Sequence, residues 1–213
     1  MEDTVNKQTP ETPTRHLGAR EPLAPDELRQ LWRVVSGVLR VDSAPKGEAA
    51  RFVRLALPGD VVGVERWVGS NDSLRLRAVI AARLTPVDAS GDAMMQILME
   101  TVVVAHQRCR EVVSLRTGPA ARRIQALLLM FAQRGVAEGV DQGLATQDFA
   151  VPHLADLSDI LDIAPETASR AFASMRSGDF LAARRPQKAR LRSQVLGGLE
   201  GMSGLSSVLA PGV

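Results

Sequence analysis

The chain has 213 residues, 45% of them hydrophobic and 23% charged, with a formal net charge of +2. That is the balance of a globular protein, long enough for one large or two modest domains. No apolar run approaches the roughly twenty residues that span a bilayer, the first residues lack the apolar core of a secretory signal, and a single cysteine excludes an intramolecular disulfide framework, so the expected location is the cytoplasm.

Residues 1–22 are rich in Thr, Pro, Glu and Arg and read as a disordered or weakly docked arm. Residues 23–90 are β-like. Short runs with β-branched residues occur at 31–35, 38–41, 52–57 and 76–80, partly alternating. Turn signals separate them at Ser36-Gly37, Pro45-Lys46-Gly47, Pro58-Gly59-Asp60 and Gly69-Ser70-Asn71-Asp72. Several short strands at this spacing suggest an antiparallel barrel or jelly roll.

A long helix is expected over residues 92–116, within a segment 91–117. Met95, Leu98, Val102, Ala105, Cys109 and Val112 recur at alternating steps of three and four, the pattern of a coiled-coil seam. Met94, Ile97 and Val104 form a second apolar face suited to the β-rich domain. A helix apolar on two faces wants two partners, which points to a homodimer along the seam; burial within one subunit is the plainer alternative. On a two-fold seam Cys109 would face its counterpart, an arrangement open to a redox switch or to a small reduced side chain.

Thr117-Gly118-Pro119 breaks the helix, and residues 121–134 form another, with Ile124, Leu127, Leu128 and Phe131 inward. Residues 118–193 form the C-terminal domain, and 194–213 an uninformative tail. Within that domain, Leu154, Leu157, Ile160 and Leu161 mark one short amphipathic helix. Asp162 occupies the turn, with Ile163 as a plug behind it. A second helix opens at Ala164-Pro165-Glu166, where Pro suits a first helical position. Thr167 or Ala168, Ala171, Phe172 and Met175 can face inward, leaving Glu166, Ser169, Arg170 and Ala173 outward. Gly178 ends this helix, and Phe180-Leu181 return to the core.

Such a pair is either an ordinary helical hairpin or a reading head for the DNA major groove. The charges favour the latter. From Ala164 to Arg192 seven basic residues stand against two acidic ones, a local excess of +5. Arg176, Arg184, Arg185, Lys188 and Arg190 suit the phosphate backbone, while arginine can pair with guanine and glutamate can accept from cytosine.

The string Glu166-Thr167-Ala168-Ser169-Arg170, preceded by Asp156-Leu157-Ser158-Asp159 and followed by Gly178-Asp179-Phe180-Leu181, resembles the winged helix-turn-helix of the Crp/Fnr transcription regulators. Leu57-Pro58-Gly59-Asp60-Val61-Val62-Gly63 resembles the hairpin of the β-roll domain of that superfamily. The resemblance implies an α+β fold: an N-terminal β-roll like a cyclic-nucleotide-binding domain, a long dimerisation helix and a C-terminal winged helix-turn-helix. It also implies that Glu166, Ser169 and Arg170 contact the bases of TTGA-like half-sites in a palindrome, with RNA polymerase as protein partner. Ser158 stands in place of the usual small Ala and Asp162 in place of the usual turn Gly, and Pro165 is less common at its position.

In members that bind cyclic nucleotides, a Glu follows the second Gly of this hairpin and an Arg-Ser/Thr pair lies about ten residues on. Here Val64 stands first, and Leu74-Arg75 near the second. Glu65, Arg75 and Arg77 could form a shifted effector pocket, but Val64 cannot accept ribose hydrogen bonds. No cyclic nucleotide is expected. An iron–sulfur cluster is rejected, because Cys109 alone cannot ligate it. Haem is not expected at His16, His106 or His153, which read as surface or packing histidines, and no metal site or other cofactor is expected. An enzyme is also not expected, in the absence of a Ser-His-Asp order, a metal-spaced His/Cys cluster or a phosphate loop. The reading is a homodimeric regulator, effector-independent or with an effector of unknown identity; a module acting by heterodimerising with a related regulator is the alternative.

Overall fold

The computed structural model describes residues 14–64, 74–88, 90–134, 149–178, 180–185 and 188–191. Glu65, one of the three residues suggested for a shifted effector pocket, lies outside them, as do residues 1–13 of the arm and the tail. No helix among the described residues is long and apolar enough to cross a membrane.

The N-terminal part is an antiparallel sheet built on two long strands, β2 (Leu31–Ser43) and β5 (Leu74–Val87), which pair from Leu31↔Val87 to Ser43↔Leu74. Strand β3 (Arg51–Ala56) pairs with the far half of β2, and the short β4 (Val61–Val62) with its start. Alternation is visible at the start of β3, where Arg51 and Val53 are exposed and Phe52 and Arg54 are buried.

Two sequence expectations change here. The separate strands at 31–35 and 38–41 are one strand, and Ser36-Gly37 is an irregularity within it, with pairing shifts on both sides. Gly37 has φ +81°, and a Cβ there would lie 2.1 Å from Ala81 O. Glycine serves here for close backbone approach within a bulge, not for reversal of the chain. The segment expected as an arm is, from residue 15, an edge strand. β1 (Arg15–Leu17) pairs with Leu84–Ala82 of β5, and Leu17 and Leu23 are buried. Three residues carry no readable periodicity; this strand is held by backbone pairing and by Arg15, whose guanidinium reaches Glu27 at 2.7 Å and Glu21 at 3.0 Å.

The Pro58-Gly59-Asp60 turn is closed by hydrogen bonds from Asp60 N to Leu57 O and from Gly59 N to Val34 O, while the Asp60 carboxylate accepts from Leu57 N. Helix α1 (Asp92–Arg116) follows β5. Ile97 and the half-buried Leu98 pack on Leu31, Val61 and Val64. Helix α2 (Ala120–Arg134) starts after a break in which Gly118 has φ +87°, and its Ile124, Leu127, Leu128 and Phe131 are fully buried, as their spacing predicts.

Helices α3 (Leu154–Leu161) and α4 (Pro165–Ser177) are separated by a turn at Asp162. Strands β6 (Phe149–Ala150), β7 (Leu181–Arg185) and β8 (Lys188–Leu191) form a small sheet in the order β6-β8-β7. A single apolar cluster runs from the sheet through the helices: Val38, Phe52, Leu55, Leu57, Val79 and Ile80 join Leu115, Phe131, Leu157, Phe172 and Leu181. The two halves of the chain therefore share a core.

Candidate nucleic-acid interface

The outward face of α4 is set by turn chemistry. Asp162 adopts the left-handed conformation (φ 52°, ψ 57°) and ends α3, its N–H bonding to Asp159 O and Ser158 O. Asp tolerates that region better than most residues because its short polar side chain can hydrogen-bond the nearby backbone. The chain then bends at Ala164, and Pro165 opens α4. Ala168, Phe172 and Met175 are buried on one side of α4, and Glu166, Ser169, Arg170 and Ala173 are exposed on the other. The outward set is the one expected from the spacing. Arg170 Nε makes a long 3.4 Å hydrogen bond to Glu166 O, one turn back on the same helix.

The basic residues expected at phosphates lie on α4 and on the strands of the small sheet. Arg176 is exposed near the end of α4, Lys188 and Arg190 are exposed on β8, and Arg184 and Arg185 lie on β7 opposite Ala189 and Lys188.

Two arginines on either side of the Gly118 break hold the turn that precedes α4. Arg116, at the end of α1, donates to Ile160 O (3.1 Å) and Asp159 O (3.2 Å), carbonyls at the C-terminal end of α3. Cations suit that end of a helix. Its guanidinium also lies over the Phe52 ring at 5.3 Å. Arg123 of α2 donates to Arg116 O (2.9 Å) and to Asp162 O (3.4 Å). Periodicity did not single out either residue, because bonds to carbonyls 39 to 44 positions away leave no local signal.

Of the three suggested effector residues, Arg75 and Arg77 lie among the described residues, both on β5. Arg75 is exposed, whereas Arg77 pairs with Asp156 of α3. Val64 is buried with Leu31, Val61 and Ile97 in an apolar cluster. His16 and His106 are exposed and His153 is half-buried.

The expected seam on α1 divides between two faces. Met95, Val102 and Cys109 are exposed, Met95 at 65% and Val102 at 66%. Leu98 and Val112 pack instead against apolar clusters of this chain, and Ala105 is half-buried. The outward apolar row is completed by Met99, Val103 and Val113, each more than 60% exposed. Met95, Met99, Val102, Cys109 and Val113 keep steps of four, three, seven and four, so a coiled-coil pattern persists, displaced by one residue at alternate positions. Leu98 and Met99 are both apolar, as are Val112 and Val113, but midway the displaced register carries the exposed His106 where the expected one has Ala105.

No family model and no curated protein sequence matches the chain. Solved structures do. A CRP-family transcriptional regulator of Thermus thermophilus superposes with a TM-score of 0.67 at 21% identity, over 88% of this chain and 96% of that one. A second regulator of that organism, of the CRP/FNR family, gives 0.60 at 18% identity over 89% and 98%. The c-di-GMP-responsive global regulator CLP of Xanthomonas campestris gives 0.57 at 18% identity over 84% and 93%. The chain therefore has the fold of these regulators: a cyclic-nucleotide-binding-like β-sheet domain followed by helices.

Proposed function

We propose that the chain is a homodimeric, sequence-specific DNA-binding transcription regulator. The observation that carries this reading is the Glu166–Ser169–Arg170 face, exposed on α4 and backed by buried Ala168, Phe172 and Met175, in a chain whose fold is that of known transcription regulators. In this reading α2, α3 and α4 with the β6-β8-β7 sheet act as a winged helix-turn-helix. Helix α4 enters the major groove, where Arg170 and Glu166 read base edges. Arg176, Arg184, Arg185, Lys188 and Arg190 neutralise phosphates on either side.

Dimerisation follows from the row Met95, Met99, Val102, Cys109 and Val113. Exposed apolar side chains at coiled-coil spacing along one helix are best covered by the same row of a second copy. A two-fold pair would place two α4 helices about 34 Å apart, one helical turn of DNA. The matching site is a palindrome of TTGA-like half-sites. The Arg77 pair with Asp156 and the burial of Val64 among apolar side chains argue against a cyclic nucleotide, and the regulator acts without an effector or with one of unknown identity. RNA polymerase is the protein partner that a DNA-bound regulator of this kind would meet.

The experiment is fluorescence anisotropy with a palindromic TTGAT–N4–ATCAA duplex and a scrambled duplex, without added ligand and over a salt series. Selective binding that weakens steeply with salt supports the reading. Equal, weak binding to both duplexes removes it in favour of a chain that pairs with a related regulator.

A further inference from the structure

The β-sheet domain and the paired helices meet through charges as well as through apolar packing. On β2, Arg40 and Asp42 are both buried, at 2% and 5% exposure. Arg40 Nε lies 2.7 Å from Asp42 Oδ1, and its Nη2 lies 2.6 Å from Asp159 Oδ2 on α3. Its Nη1 stands 3.9 Å from Asp156 Oδ1. From β5, Arg77 donates to that same Asp156 oxygen, and Arg20 brings its Nε within 3.5 Å of Asp156 Oδ2. Three arginines of the β-domain thus face three aspartates, two of which belong to α3. Burial opposes the charge on Arg40, but Asp42 and Asp159 outweigh it and hold its pKa above the ordinary arginine value.

The cluster is incompletely hydrogen-bonded: among the described residues, Arg40 Nη1 and Asp156 Oδ2 are buried without a hydrogen-bond partner. A buried ionic cluster of this kind is weak as a source of stability, because apolar side chains of similar volume do as well or better. What charges add is direction. They favour one position of α3 against β2 and β5, and α3 is joined to α4 by the Asp162 turn and by the shared packing of Ile160, Leu161, Ala168 and Phe172.

We infer that Asp156, held by Arg40 and Arg77, is a positioning residue for DNA reading: it fixes the α3–α4 pair on the β-domain, which acts as a docking platform for the Glu166–Ser169–Arg170 face. This rests on the function proposed above. The docked arrangement leaves that face exposed, so the clamp aims it and does not cover it. The β-domain thereby contributes to DNA recognition without touching DNA, and Arg77 serves docking instead of an effector.

The test uses the full chain and three variants: Asp156→Asn, Arg77→Gln and the charge-retaining Arg77→Lys. Hydrogen–deuterium exchange without DNA reports docking, and anisotropy with the palindromic and scrambled duplexes over a salt series reports reading. In Asp156→Asn and Arg77→Gln the amides of α3 and α4 should exchange roughly tenfold faster, while those of β2 and β5 hold. The target-to-scramble ratio should fall by a factor of roughly five to a hundred, the usual span of coupling between sites. The salt slope should stay the same, because the phosphate-contacting residues remain, and Arg77→Lys should stay close to wild type. Unchanged α3 and α4 exchange in Asp156→Asn would overturn the clamp. So would faster exchange over the whole chain with an unchanged ratio, which is the mark of a merely structural residue. A wild-type chain that reads neither duplex selectively, while α3 and α4 still respond to Asp156→Asn, would overturn the DNA function and not the docking contact.

Discussion

Arg108 of α1 grips Asp60 of the β3–β4 turn through two 2.8 Å hydrogen bonds, from Nε to Oδ2 and from Nη2 to Oδ1. Both residues are buried, and Arg108 Nη1 adds Glu111 at 2.7 Å. Burial opposes the charge on Arg108, but Asp60 and Glu111 outweigh it and raise its pKa. Helix α1 is therefore fastened to the sheet at mid-length by a bidentate pair. Removing one partner strands the other charge, so Arg108→Met should destabilise the chain by about 3–5 kcal/mol. Urea unfolding would check this; a loss below about 1 kcal/mol, the range of an exposed pair, would mean that the pair is solvated.

Gly37 makes a second stability test. Its φ of +81° and the 2.1 Å approach of a Cβ to Ala81 O mean that any side chain must push β5 away. Gly37→Ala should cost at least about 2–3 kcal/mol from strain and clash together, read as a lowered thermal midpoint. Gly47, which also has positive φ but no atom within 4 Å of a Cβ, should lose less on the same change, about 1–2 kcal/mol from backbone strain alone.

At the turn between α3 and α4 the opposite sign is expected. Asp162 holds a left-handed conformation that glycine adopts freely, so Asp162→Gly should stabilise the chain by up to about 1 kcal/mol. The Arg123 bond to this residue goes to its backbone carbonyl and survives the change. Calorimetry that shows a clear loss of stability would place an unseen role on the carboxylate.

The α1 row predicts assembly. Val102→Glu puts a charge at a position 66% exposed in the single chain, so the subunit fold should keep its stability within about 0.5 kcal/mol. Sedimentation equilibrium should show a shift from dimer to monomer, with loss of tight binding to the palindrome. Leu98→Ala, which removes packing inside the subunit, should lower stability and leave the dimer in place. Equal effects of the two changes on assembly would reject the displaced register.

On DNA, base and phosphate contacts should separate. Arg170→Ala should cost roughly 1–3 kcal/mol on the target and relax preference at one base pair. Lys188→Ala should weaken target and scrambled duplexes alike and reduce the salt slope by about one unit. An unchanged target-to-scramble ratio for Arg170→Ala would end the base-reading assignment.

The helices and their outward faces were legible because their signals are local. Leu154, Leu157, Ile160 and Leu161, then Ala168, Phe172 and Met175, report a buried side at helical spacing, and Glu166, Ser169 and Arg170 follow as the remainder. The Asp162 turn and the bounds of α1 were likewise readable from turn and periodic signals. Gly37 gives no such signal, because a glycine flanked by apolar runs looks the same whether the chain reverses or another backbone passes close by.

By itself, then, the sequence determined where the α-helices run and which sides of the short α3 and α4 are apolar, since those depend on neighbours three or four positions away. Only the tertiary structure decided which partner each apolar or charged side meets. It turned Arg15–Leu17 into an edge strand, sent Leu98 inward and Met99 outward, and committed Arg40 and Arg77 to Asp156 and Asp159, far along the chain. The reason is physical: pairing of charges and strand edges depends on distance in space, and composition and periodicity carry no record of it.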